Sequence, residues 1–110
     1  MTVKKLIDEF SLEVICHGEL AEEKQVTGGY CGDLLSWVMS RAKEGDCWLT
    51  VMGNVNSVGV AVLADVACIL LTENSAFDDD ALRRAEQNNV IVLRSSKNAF
   101  ELAGKLADLL

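Results

Sequence analysis

Residues Cys47–Leu71, CWLTVMGNVNSVGVAVLADVACILL, decide the fold. The runs Cys47–Met52 and Cys68–Leu71 are apolar, rich in β-formers and too short for helices, so each reads as a strand. Gly53-Asn54 ends the first. The segment between them pulls two ways. Val58, Val60 and Val62 favour a strand by propensity, yet the second strand follows almost at once, and Asn54-Val55-Asn56-Ser57 has the polar character of a helix start. Asn56–Asp65 is therefore expected to be a helix, buried on most sides.

Working outward, the same alternation holds. Thr2 is placed to cap a short helix whose Val3, Leu6, Ile7 and Phe10 follow the i, i+3, i+4, i+7 stripe. Leu12–Cys16 reads as a strand closed by His17-Gly18, and a further short strand is expected around Gln25–Thr27. Asp33 reads as the cap of a helix with Leu35, Val38, Met39 and Ala42 turned inward, and Gly45 as its stop. Downstream, Asp78–Asn88 is a helix with acids at its front and Arg83-Arg84 further on, as the helix dipole favours. Val90–Leu93 is another strand. Lys97–Leu110 completes the chain as an amphipathic helix, with Phe100, Ala103, Ala107 and Leu110 on its dry side. Four strands are nearly unbroken apolar runs, the mark of strands covered on both faces. The expected fold is α/β: three layers, α/β/α, around a mostly parallel sheet.

Composition fits this reading. At 110 residues, with no proline, repeat or low-complexity linker, residues 1–110 are expected to form one domain. Half of the residues are hydrophobic even without the 8 glycines, which is apolar for so small a domain and points to a subunit contact as well as a doubly covered sheet. The net charge of −7 and the lack of a basic stripe argue against nucleic acid and anionic membrane as partners. No apolar leader follows Lys4-Lys5, and the run Val58–Ala64 is too short to span a bilayer, so the expected location is cytoplasmic. Cys16, Cys31, Cys47 and Cys68 form no C-x-x-C pair and read as core thiols, with no metal site.

The stretch Gln25–Val38, QVTGGYCGDLLSWV, raises the question of a phosphate loop. A P-loop requires G-x-x-x-x-G-K-[ST], and here Gly28 and Gly32 lie four apart with Asp33 in place of lysine. The dinucleotide fingerprint is missing too, since Gly28-Gly29 are adjacent. The glycines are expected to form a tight turn into an Asp33-capped helix. His17, the one histidine, has no motif-placed serine or carboxylate to complete a triad. Neither a catalytic residue nor a cofactor is legible. A small ligand, if bound, belongs beyond the carboxyl ends of the strands, where His17, Thr50, Asn54, Asn56, Ser57, Thr72–Asn74 and Arg94–Ser96 are expected to gather. Asn54, Asn56 and Ser57 are the leading candidates, because they open a helix.

Val26-Thr27-Gly28-Gly29, followed by Gly32-Asp33-Leu34-Leu35-Ser36, resembles the DRTGG domain. So does the order that follows: Trp48-Leu49-Thr50-Val51, Asn54 with its valine-alanine helix, Asp65–Leu71, and the strand and helix over Val90–Leu102. Gln25-Val26 stand where the family name has Asp-Arg, so no role of that pair carries over. The resemblance implies a fold like the N-terminal domain of HPr kinase/phosphorylase and a regulatory or dimer-forming role. It adds Thr27, Gly28, Gly29 and Asp33 to the candidate ligand residues. The expectation is a stand-alone regulatory, ligand-sensing or dimerisation module without catalysis, a homodimer responding to a small-molecule effector. Two alternatives stand beside it: a small phosphotransfer enzyme or accessory, serine-kinase-like by similarity, and a scaffold docking on a larger metabolic enzyme.

Overall fold

In a computed structural model describing residues 1–110, every strand joins one five-stranded sheet in the order β1-β5-β4-β3-β2. The strands are β1 (Glu13–Cys16), β2 (Gly28–Cys31), β3 (Asp46–Thr50), β4 (Cys68–Leu71) and β5 (Val92–Arg94). β2 to β5 are parallel, and β1 joins the β5 edge antiparallel. The helices are α1 (Val3–Phe10), α2 (Leu35–Arg41), α3 (Val55–Ala64), α4 (Asp79–Gln87) and α5 (Ala99–Leu109).

Alternation along the strands splits the core into two layers. Cys47 and Leu49 of β3, Cys68 and Leu70 of β4 and Leu93 of β5 pack with α1 and α5 through Val3, Leu6, Leu102 and Leu106. Their neighbours Trp48, Ile69, Leu71 and Val92 face the other way, against Val38, Val58, Ala61, Ala81 and Ala85 of α2, α3 and α4. All residues of β3 and β4 are buried, as strands covered on both faces must be. Each fully buried leucine-sized side chain contributes about 1.5–3 kcal/mol relative to exposure, so the two central strands carry much of the stability.

The valine-rich segment is the helix α3. Asn54 caps it, accepting the Ser57 N–H on Oδ1 at 3.0 Å, and Asp65 ends it in a left-handed conformation. Thr2 caps α1 as expected, its Oγ1 accepting the Lys5 N–H at 3.1 Å.

Four expectations need correction. The strand expected at Gln25–Thr27 lies just beyond, on Gly28–Cys31, and Gln25 instead forms an isolated bridge with Thr2. Gly28 and Gly29 are therefore extended residues of an edge strand and do not form a tight turn. Their reason is close approach: a Cβ on Gly28 would stand 2.7 Å from Asp46 Oδ1, and one on Gly29 would stand 3.0 Å from Leu106 Cδ2. Nor does Asp33 cap α2. The N-cap is Leu34, without a side-chain bond, and Asp33 turns to β3. Finally, α5 buries Leu102 and Leu106, leaving Phe100 89% exposed.

Candidate functional site

The three parallel crossovers β2-α2-β3, β3-α3-β4 and β4-α4-β5 all keep their helices on one face, whereas the chain leaving β5 passes to the other face as α5. The carboxyl ends of β4 and β5 are thus where connections diverge, the place at which open parallel sheets leave a crevice. Here the loops after β2, β3, β4 and β5 meet. A cavity of about 240 Å3 lies over the ends of β2, β3 and β4, lined by Cys31, Asp33, Thr50, Val51, Thr72 and Glu73 and closed by Ala99 at the start of α5.

Its polar groups are tied to one another. Asp33 Oδ1 accepts the Thr50 hydroxyl at 2.8 Å and the Val51 N–H at 3.0 Å. Thr50 Oγ1 in turn accepts the Met52 N–H at 3.2 Å. Trp48 Nε1 donates to the Gly32 carbonyl at 2.9 Å. The Glu73 N–H donates to the Lys97 carbonyl and the Asn74 N–H to the Ser95 carbonyl, each at 2.9 Å, so the loops after β4 and β5 are laced together.

The structure divides the sequence-derived candidates between opposite ends of the sheet. Asp33 and Asn54 lie at the carboxyl end. Asn54 and the buried Ser57 satisfy each other in the cap, the Ser57 hydroxyl lying 3.3 Å from Asn54 Oδ1, while Asn56 is exposed. Thr27 and Gly28 lie at the amino end, where Thr27 joins Lys24, Glu44 and Asp65 around a cleft of about 350 Å3. Gly29 is one residue further along the β2 edge, paired with Cys47. The seven residues do not form one site.

His17 is also at the amino end, because β1 runs antiparallel. Its Nδ1 lies 2.9 Å from Glu19 Oε1 and its Nε2 lies 2.8 Å from the Glu86 carbonyl at the end of α4. A carbonyl only accepts, so Nε2 carries a proton, and the carboxylate favours a second on Nδ1. Those two bonds, the carbonyl's first, raise its pKa above the usual histidine value. Environment disfavours the thiolate at Cys16, Cys47 and Cys31. Burial pushes Cys16 up to about 11, with help from Glu86 and Glu19. Cys47 is raised well beyond its usual value by its contact with Cys68 and by burial. Exposed Cys31 is raised by partial burial and the Asp33 charge.

Sequence reasoning foresaw the surface around β2 only in part, as Trp37 flanking the dry face of its helix within reach of a subunit contact. This strand pairs only with β3, leaving its outer edge open. On the α2 side, Leu34, Trp37 and Met39 are 58%, 51% and 49% exposed, with the Arg41 guanidinium 3.7 Å from the Trp37 ring centroid. On the α5 side a groove of about 190 Å3 is walled by Gly29, Cys31, Leu49, Ala103, Leu106 and Leu110. The apolar excess had signalled such a contact, but Met39 was expected inside.

Gly28–Cys31 is extended strand, so its amides alternate between β3 and the open edge and do not converge on one point. The Thr27 N–H donates to the Gly45 carbonyl at 2.9 Å, the Gly32 N–H donates to the Leu49 carbonyl at 3.2 Å, and the residues between pair with β3. No helix is long and apolar enough to cross a membrane.

Comparison with known proteins agrees with this architecture. A family model described as the DRTGG domain matches residues 5–109. No curated protein matches the sequence. Among solved structures, the fold matches the CBS and DRTGG domains of the regulatory region of Clostridium perfringens pyrophosphatase, complexed with the activator diadenosine tetraphosphate. The TM-score is 0.69 at 11% identity, covering 94% of this chain and 44% of that one. The chain therefore spans less than half the length of the structure it matches.

Proposed function

The chain belongs to the DRTGG domain family, and we propose that it is a non-catalytic regulatory module that pairs with a second copy along its β2 edge and responds to a small-molecule effector. The observation that carries this reading is the open strand edge with exposed apolar surface on both flanks. An edge strand left bare is an aggregation hazard unless it is covered, and contiguous exposed apolar surface marks contact with a partner. The regulatory part draws support from the pyrophosphatase region of similar fold, which binds an activator. The non-catalytic part draws support from the commitments of these groups. Thr50 bonds to Asp33, but it is 2% exposed and its hydroxyl also accepts the Met52 N–H. The Asp33 carboxylate also accepts the Val51 N–H, and Asn54 and Ser57 are engaged in the α3 cap.

Sedimentation at micromolar concentration is expected to give a dimer, and Trp37→Glu a monomer that circular dichroism shows to be folded. A strictly monomeric parent protein removes the pairing part. A thermal-shift screen against nucleotides and central metabolites tests the effector part, since a ligand at 100 times its Kd adds about 2.7 kcal/mol.

Docking on a larger metabolic enzyme is a second reading, favoured by the similar domain's place in a pyrophosphatase regulatory region. A pull-down from native lysate separates it from the first. A phosphotransfer role, serine-kinase-like, requires labelled ATP with magnesium to bind or transfer.

A further inference from the structure

Beside the carboxyl-end crevice lies a second cleft, of about 400 Å3, between the end of β5, the end of α1 and the flank of α5. Arg94, Lys97 and Lys105 converge on it, three of the chain's ten basic residues, in a molecule whose net charge is −7. Ser96 adds an exposed hydroxyl, and Phe10 is the one apolar wall.

The cations differ in their commitments. Arg94 grips Glu13 with two bonds, Nε to Oε1 at 3.0 Å and Nη2 to Oε2 at 2.9 Å, and its Nη1 donates to the Ser75 carbonyl at 3.3 Å. That pair fixes the guanidinium at the cleft wall and leaves part of its fork free. It also holds the Glu13 carboxyl below the usual carboxylate range. Lys97 and Lys105 take part in none of the molecule's four ion pairs. Both line the same cleft, and the Lys97 ammonium holds Lys105 below the usual lysine range, with Glu101 only partly offsetting it. Glu9 on the far wall opposes an anion. Even so, two ammoniums on one cleft, neither ion-paired to a carboxylate, form a group that an anion completes.

We propose that this cleft binds the phosphate group of a small phosphorylated metabolite, with Lys97 and Lys105 as the charge pair, the free part of the Arg94 fork as third donor and Ser96 as a hydroxyl contact. The inference rests on the effector-responsive reading above and names the ligand class and place. Phosphate suits the site because its several acceptor oxygens can engage two ammoniums and a guanidinium at once, and because the walls are polar except at Phe10.

The test is calorimetric titration with inorganic pyrophosphate and, separately, with ADP, at low salt. Both are expected to bind and to weaken as salt is added. Lys97→Ala and Lys105→Glu are each expected to weaken binding by roughly tenfold to a hundredfold, the range for a lost charge-assisted hydrogen bond. Lys4→Ala, which removes a lysine already paired to Asp8 at 3.0 Å, is expected to leave binding unchanged. Both lysines are exposed, so circular dichroism should show the variants folded. Failure of both probes to bind at millimolar concentration, or binding that Lys97→Ala and Lys105→Glu leave intact, overturns the site. If an uncharged metabolite still stabilises the protein in the thermal-shift screen, the effector reading survives that failure. If nothing does, both fall.

Discussion

A side chain at Gly28 has nowhere to go. Its Cβ would meet the carboxylate of Asp46, itself 7% exposed and held by the Lys43 N–H on Oδ2 at 2.8 Å. Gly28→Ala must therefore push a fixed buried acid, and overpacking of this kind costs about 1–3 kcal/mol. Gly29→Ala meets only the terminal methyl of Leu106, which can turn aside. Urea denaturation should thus show a larger loss at position 28 than at 29; equal or reversed losses would show that the Asp46 contact does not restrict the strand. The sequence displayed these glycines clearly but not their reason. Asp46 and Leu106 lie far along the chain, so closeness to them is a tertiary fact, and local reading assigned the glycines to a turn.

Helices were legible where a cap or a two-sided stripe announced them. Asn54 is such a signal, and it outweighed the strand propensity of Val58, Val60 and Val62 because α3 packs one side against the sheet, α2 and α4. Val62 and Leu63, expected within a helix buried on most sides, are nonetheless exposed. Asn54→Ala removes the acceptor for the Ser57 N–H and for a fully buried Ser57 hydroxyl. The loss expected in a thermal or urea melt is about 0.5–2 kcal/mol; a change near zero would mean that another group caps α3. In α5 the reading slipped. Phe100, Ala103, Ala107 and Leu110 form one acceptable helical stripe, and Ala99, Leu102, Ala103 and Leu106 form another beside it. The aromatic ring drew the choice to the first, although packing on the sheet uses the second and leaves Phe100 in solvent. In α2, Asp33 had the residue type of a cap, but Thr50 and Val51 of the neighbouring β3 segment compete for its carboxylate and win. The candidate site was therefore only partly visible, since its bonds cross between loops that the sequence separates.

Alternation of strands and helices announced the layered sheet, yet nothing local revealed that β1 runs against the rest, and this reversal carries His17 to the amino end. There it joins the end of β1 to the end of α4 through the Glu86 carbonyl, tying the sheet's outer edge to the helical layer. Because both ring nitrogens face acceptors, the folded protein favours the imidazolium and its pKa lies above the unfolded value of 6.5. The sign follows directly. A group whose pKa rises on folding adds stability that is fully present below the unfolded pKa and is lost as pH climbs through the folded one. His17→Gln removes the titration and adds only a pH-independent offset, including any strain at φ 58°. The difference in unfolding free energy between the parent protein and His17→Gln should therefore be largest near about pH 6 and shrink steadily toward about pH 9. A difference that stays constant over that interval would mean that the contact joining β1 to α4 is made by the neutral ring, without help from the Glu19 charge.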